Sequence, residues 1–352
     1  MNKDSRTIMK RFFAFACLSA AIALAGACAK APVSGKNDLT KRYFDAWTLT
    51  HYPDAPKTPL GSVIIRDDAG TGSLVGTADD TPYIYCTYLA TDLAGNISAS
   101  SDEKTAQQLG TYSETSYYGP HVICRIEGML NAGVSEMMQT MRVGGTRTAA
   151  IPGWLMSTDV YETPEEYLAN CSGTDAIYTF TILDAIQDIA KWEVDSLVRY
   201  MSRHYPGVDS TSYGYYYIQT AEPLDTTDFD SGSTVYINYT GRILTGQVFD
   251  STIQDTTKKY RIYQEGKTYE PMSLTWPSSD DEKVTFSEGS DMITGFEKCV
   301  HGMKAGEKGI CIFYSGLGYG LNGTGDQIPG ISPLIFEIQM LGKNEDGSID
   351  TD

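Results

Sequence analysis

Apolar residues recur along this chain with two periods, one near 3.6 that marks helices and one of 2 that marks strands. Helical spacing runs through residues 39–49 and again through 189–201. Each stretch ends at a His-Tyr-Pro triplet, His51-Tyr52-Pro53 and His204-Tyr205-Pro206, where proline stops a helix. Ten residues after each histidine stands a glycine, Gly61 and Gly214, opening a strand-like run: Val63-Ile64-Ile65 in one case, Tyr215-Tyr216-Tyr217-Ile218 in the other. Residues 83–93 with Gly95-Asn96, and 235–244 with Gly246-Gln247, both read as strand, glycine turn and returning strand. Gly133, Val134, Met138 and Met141 repeat as Gly295, Phe296, Val300 and Met303, the same apolar helical face twice. Glycine turns follow, at Gly144-Gly145 and Gly306, and closing strands are predicted over 177–183 and 334–341. The pattern is an internal duplication. It predicts an α+β protein of two tandem domains, residues 41–190 and 191–345, each an antiparallel sheet around one short helix, with an acidic tail at 346–352.

Composition fits two packed cores: 352 residues, 41% hydrophobic and 20% charged, with 24 tyrosines. Asp and Glu outnumber Lys and Arg by 45 to 27, a net charge of −18 that argues against a nucleic-acid partner, since phosphate binding needs a basic surface. The N-terminus reads as processing sequence: Lys10 and Arg11, an apolar stretch over 12–24, then Ala25-Gly26-Ala27-Cys28. It resembles a bacterial lipoprotein signal, which implies that residues 1–27 are removed, that Cys28 is the lipidation point and that 28–40 form a tether. An ordinary signal peptide cleaved nearby is the other reading. So acidic a surface does not seek anionic headgroups, and attachment would rest on the acyl chains. Ala29-Lys30 carries no acidic retention signal. The expected location is the cell envelope, lipid-anchored on the periplasmic face of the bacterial outer membrane. Beyond Cys17 and Cys28, the five cysteines Cys86, Cys124, Cys171, Cys299 and Cys311 show neither CxxC nor Cys/His spacing, so they specify no disulfide framework and no metal site.

In the second copy, Asn238-Tyr239-Thr240-Gly241, Gly246-Gln247-Val248-Phe249-Asp250-Ser251, Ile293-Thr294-Gly295-Phe296-Glu297, Gly302-Met303-Lys304-Ala305-Gly306-Glu307, Gly318-Tyr319-Gly320, Ile328-Pro329 and Leu334-Ile335-Phe336-Glu337 follow in order. Together they resemble the FKBP-type peptidyl-prolyl cis-trans isomerases. The resemblance implies an apolar pocket between sheet and helix, with Asp250, Tyr319, Tyr239 and Phe249 as catalytic residues. Phe296, Ile293, Met292, Phe336, Ile328 and Val284 would bind substrate, with Phe296 as floor and Phe249 and Phe336 as walls. Its partners would be X-Pro segments of unfolded or partly folded exported proteins. No cofactor or metal is implied. Macrolide-type inhibitors are a further implied ligand class, with Phe296 where the family often has Trp and Val284 where a wall aromatic is common. Taken singly, Phe249, Phe296, Ile293, Ile328 and Phe336 read as ordinary core packing. Asp250, a carboxylate directly after a strand Phe, does not. Residues 252–283 form an insert, a connection much longer than the family's usual one, read as a lid over the pocket, a binder of unfolded chains or simple decoration.

In the first copy, Gly95-Asn96-Ile97-Ser98-Ala99-Ser100 stands where Gly246 to Ser251 stands in the second, so the wall aromatic and the carboxylate have become Ser98 and Ala99. Val134 replaces Phe296, and Pro152-Gly153-Trp154 leads to no counterpart of Tyr319. This copy reads as an inactive domain serving as spacer, dimerisation surface or substrate holder, with an intact pocket of other residues as the alternative. For the whole chain, an envelope-anchored isomerase is the first reading. A non-catalytic chaperone or docking lipoprotein is the rival.

Overall fold

A computed structural model describes residues 35–279 and 282–342. The signal region, Cys28, most of the tether, Asp280, Asp281 and the acidic tail lie outside the described residues. In the first half come α1 (Asp38–His51), β1 (Val63–Asp68), β2 (Tyr83–Thr91), β3 (Ile97–Ser100), α2 (Glu103–Leu109), β4 (His121–Cys124), α3 (Ala132–Met138), β5 (Thr146–Ile151), α4 (Pro164–Asn170) and β6 (Ala176–Ile186). The second half repeats the order with α5 (Ile189–His204), β7 (Tyr215–Ala221), β8 (Thr234–Ile243), β9 (Val248–Ser251), α6 (Gln254–Lys259), β10 (Met272–Thr275), β11 (Thr285–Phe286), α7 (Thr294–Gly302), β12 (Lys308–Phe313) and β13 (Leu334–Met340).

Both sheets are antiparallel and wired alike: β1-β5-β6-β2 in the first, β7-β12-β13-β8 in the second. On the far edge of β2 two short strands sit end to end, β4 on residues 83–86 and β3 on 89–91. Strands β10 and β9 sit on β8 in the same way, at 234–237 and 240–242. Even the register repeats, with His121 opposite Cys86 as Met272 is opposite Ile237. The fold is two tandem copies of one α+β domain.

Residues 252–283, expected as an insert, are therefore no appendage. They hold α6 and β10, the counterparts of α2 and β4, and they bury Thr257, Ile262, Leu274 and Trp276. Apolar alternation on β8, with Val235, Ile237 and Tyr239 facing in, decides which side of the sheet is core. Phe296, Cys299 and Val300 of α7 fill that side, while Leu197 and Met201 of α5 cover the back against Tyr216, Ile312 and Ile335. Ile84, Val134, Met137, Met138, Ile151, Phe180 and Ile182 build the first core in the same way. Cys86, Cys124, Cys171, Cys299 and Cys311 are all unpaired. Among the described residues no helix is long and apolar enough to cross a membrane.

In each half the core helix crosses its strand at a glycine. A Cβ on Gly133 would lie 2.4 Å from Ile151 Cγ2, and one on Gly295 would lie 2.5 Å from the Phe313 ring. Alanine in an exposed helix stabilises by up to about 1 kcal/mol over glycine. Here the sign reverses: Gly295→Ala is expected to destabilise the chain by about 1–3 kcal/mol through overpacking, read as a lower denaturant midpoint. A midpoint that rises would show the contact is not tight.

Candidate functional site

At the N-terminal end of α7 the helix and the curled sheet part, leaving a cavity of about 200 Å³. Tyr239 reaches it from β8, Phe249 and Asp250 from β9, Phe336 from β13, and Met292, Ile293 and Phe296 from the start of α7. Tyr319 closes one side from the loop between β12 and β13. Gly241 makes the ring cluster feasible, because a Cβ there would sit 2.6 Å from the Phe249 ring and 2.8 Å from the Phe336 ring. Phe336 is the hub. Its ring centroid lies 4.9 Å from Phe296 and 5.7 Å from Phe249, both edge-on, and 6.1 Å from Tyr239. Edge-to-face packing suits the ring quadrupoles and holds the walls rigid.

The polar chemistry converges on one carboxylate. Tyr239 Oη donates to Asp250 Oδ2 at 2.5 Å, and the Ser251 backbone N–H donates to Oδ1 at 2.9 Å. Lys267, from the connection after α6, pairs with Oδ1 at 3.0 Å. Both of its partners are partly exposed, so this pair is worth about 0–1 kcal/mol. Burial, and then the Asp250 charge, push the Tyr239 phenol far above its usual range. The same causes, in the same order, raise Tyr319. Both therefore stay protonated, with an O–H to donate.

Eight of the ten expected pocket residues meet around this cavity: Asp250, Tyr319, Tyr239, Phe249, Phe296, Ile293, Met292 and Phe336. Val284 and Ile328 do not. Val284 is buried in the core beside α7, its N–H reaching Glu297 Oε1 at 3.4 Å. The aromatic wall missing at that position is supplied by Phe286, two residues on. The turn joining Thr324 to Ile328 leaves Ile328 2% exposed and packed in the core. Met272 and Asp291 also line the cavity and had no signal beyond their neighbours. Lys267 lay hidden in a segment whose pairing the sequence did not reveal.

In the first half the corresponding positions carry Tyr88, Ser98, Ala99 and Val134. His121 packs edge-on against Tyr88 at 5.5 Å. A groove of about 510 Å³ opens there, walled by Tyr88, Ser98, Ala99, Tyr117 and His121 and, from the second half, by Asp326 and Pro329.

The family described as FKBP-type peptidyl-prolyl cis-trans isomerase matches residues 226–341. FK506-binding protein 2 of Dictyostelium discoideum is 34% identical over 119 residues, 34% of this chain and 71% of that protein. FK506-binding protein 1A of Aspergillus fumigatus is 32% identical over 123 residues, 35% of this chain and 88% of that protein. A crystal structure of the three FKBP domains of wheat FKBP73 aligns over 83% of this chain and 94% of its own, at 13% identity and a TM-score of 0.27.

The raised Tyr239 pKa fixes a sign. The folded state holds the phenolic proton more tightly than the unfolded chain, whose tyrosines titrate near 10. Stability from this group is therefore complete below pH 10 and lost as pH rises above it. Tyr239→Phe is expected to flatten that alkaline decline by about 1.4 kcal/mol per pH unit. Urea titrations between neutral and strongly alkaline pH check it; equal slopes for both proteins would contradict it.

Proposed function

The chain belongs to the FKBP-type peptidyl-prolyl cis-trans isomerase family, and we propose that the ring-lined cavity of its second half turns X-Pro bonds in exported proteins. Rotation about that bond faces a barrier of about 18–20 kcal/mol and takes tens to hundreds of seconds unaided, because amide resonance must be broken. No covalent step is needed, only an environment that binds the twisted amide better than the planar one. The planar form carries the larger charge separation, so a dry aromatic wall costs the twisted form less. At about 200 Å³ the cavity is below the range of drug-sized pockets, roughly 300–1,000 Å³, and suits one pyrrolidine ring against Phe296 and Phe336. Tyr319 Oη donates to a carbonyl of the bound segment. Asp250 holds Tyr239 and sets a fixed negative charge at the rim.

The observation that carries this reading is the Tyr239–Asp250 hydrogen bond at the wall of a cavity made mostly of aromatic and aliphatic side chains. Core packing alone does not call for a carboxylate there. Isomerisation of a short X-Pro peptide by the full chain tests it. Wild type is expected to accelerate the exchange, with Tyr319→Phe about tenfold slower and Asp250→Ala slower by about tenfold or more. Peptide binding without acceleration would make the cavity a docking site instead.

The location belongs to the same proposal. Cys28 is taken as the acylated residue that fastens the chain to the envelope, where newly exported clients pass. Cys28→Ala is then expected to move the protein from the membrane fraction to the soluble fraction; an unchanged distribution would remove the anchor from the account.

A further inference from the structure

Tyr319 lies in a loop that runs from a 3-10 turn at Ser315–Leu317 to Ile331 before β13 begins. Inside it, Gly320 N–H donates to Ser315 O at 2.9 Å, Gly323 N–H to Tyr319 O at 3.3 Å and Ile331 N–H to Gly320 O at 2.8 Å. Connections of this length are ordinarily among the least stable parts of a fold. A donor used in catalysis must nonetheless be held to a fraction of an ångström.

Two outside contacts hold this loop. At its base, Glu193 of α5 accepts from both Ser315 N–H (3.0 Å) and Ser315 Oγ (2.7 Å) while only 2% exposed. At its tip the Tyr117 backbone N–H, from the first half, donates to Asp326 O at 2.7 Å, and the Tyr117 ring packs on the second core. Further contacts from the same first-half segment run alongside: Gln247 Nε2 donates to Thr115 O at 3.4 Å, and Arg261 pairs with Glu114 at 3.1 Å. The residue beside Glu193 faces the other way. Trp192 Nε1 donates to Asp184 of β6 at 2.8 Å, and its ring lies 5.3 Å from Tyr85 of β2.

We infer that the first half is a clamp for the catalytic loop, with Tyr117 holding its tip directly and the second half's Glu193, on a helix that Trp192 fastens to the first half, holding its base, both acting as positioning residues for Tyr319. This rests on the reading of the cavity as an isomerase site. It gives the first copy a task that needs its scaffold and none of the lost pocket residues. Neither positioning residue lines the cavity, so their effect on turnover passes through the Tyr319 hydroxyl.

The test is a double-mutant cycle on the full chain, with amide exchange as a second readout. Tyr117→Ala and Glu193→Ala are each expected to lower kcat for an X-Pro peptide about tenfold with little change in KM, and Glu193→Gln, which keeps an acceptor for Ser315, restores most of it. In a Tyr319→Phe background the same changes cost nothing further, because the group they position is gone. Exchange at Gly320, Gly323 and Ile331 speeds up while amides of β12 and β13 stay protected. Equal losses in both backgrounds, or unaltered exchange in the loop, overturn the clamp. Should Glu193→Ala unprotect β12 and β13 as well, Ser315→Ala, which removes only the hydroxyl donor, takes its place. A wild type without isomerase activity would sink the reading of the cavity, while the exchange data would still decide whether the first half holds the loop.

Discussion

Where α7 crosses β12, the missing side chain at Gly295 lets the helix backbone lie against the Phe313 ring. That closeness sets the height of the helix above the sheet. It thereby sets how far Phe296, the next residue, reaches toward Phe336 and Tyr239. A helix held farther out would admit more side chains or water at its N-terminal end, and the cavity would cease to be a dry slot between rings. The space that remains is small because the surrounding core is packed to crystal-like density. It stays open at one end because the loop carrying Tyr319 spans it without filling it.

The same crossing persists in the first half, with Gly133 against Ile151. Packing therefore constrains the helix position in both copies but says nothing about residues 98 and 99. On the short edge strand β3, Ser98 and Ala99 cost the core nothing, since the buried face there belongs to β2 and α3. Asp250 is the reverse case. A carboxylate beside a buried phenol loses part of its hydration, and Tyr239, the Ser251 amide and Lys267 make up for it. Fold and site are separable for this reason: one copy can keep the first while losing the second.

The duplication and the sheet–helix plan were legible because apolar periodicity records which face is buried, and it was recorded twice. Tyr239, Asp250 and the ring cluster were legible only through the order and spacing of motifs that resemble the family, since each ring taken singly reads as ordinary core packing. Val284 misled because it precedes the two-residue strand β11, too short to show any alternation, so the sequence does not tell that Val284 is core and Phe286 is wall. Ile328 misled because a turn of a few residues rotates a side chain inward without any periodic signature. Lys267 and the contacts of Tyr117 and Glu193 join segments far apart in the chain, and a single sequence carries no trace of such pairings. The helix that joins the halves was predicted, but not that adjacent residues on it face opposite partners.

That last point bears on how two domains keep a fixed relation at all. Interfaces between domains in one chain are usually small and polar, and relative motion is the default. Exposed ion pairs such as Arg261–Glu114 do little to prevent it. Two features here resist it more strongly. Successive helix positions differ by about 100°, so Trp192 and Glu193 on one rigid helix fasten to opposite neighbours with no slack between them. The other fastening, Tyr117 to Asp326, joins backbone N–H to backbone C=O. Every residue but proline supplies that donor and every residue supplies that acceptor, so the hydrogen bond asks little of either side chain, and it is the Tyr117 ring packed on the second core that keeps the two backbones within reach. A first copy could thus drift through the loss of its own carboxylate and aromatic wall and still grip the loop of its neighbour.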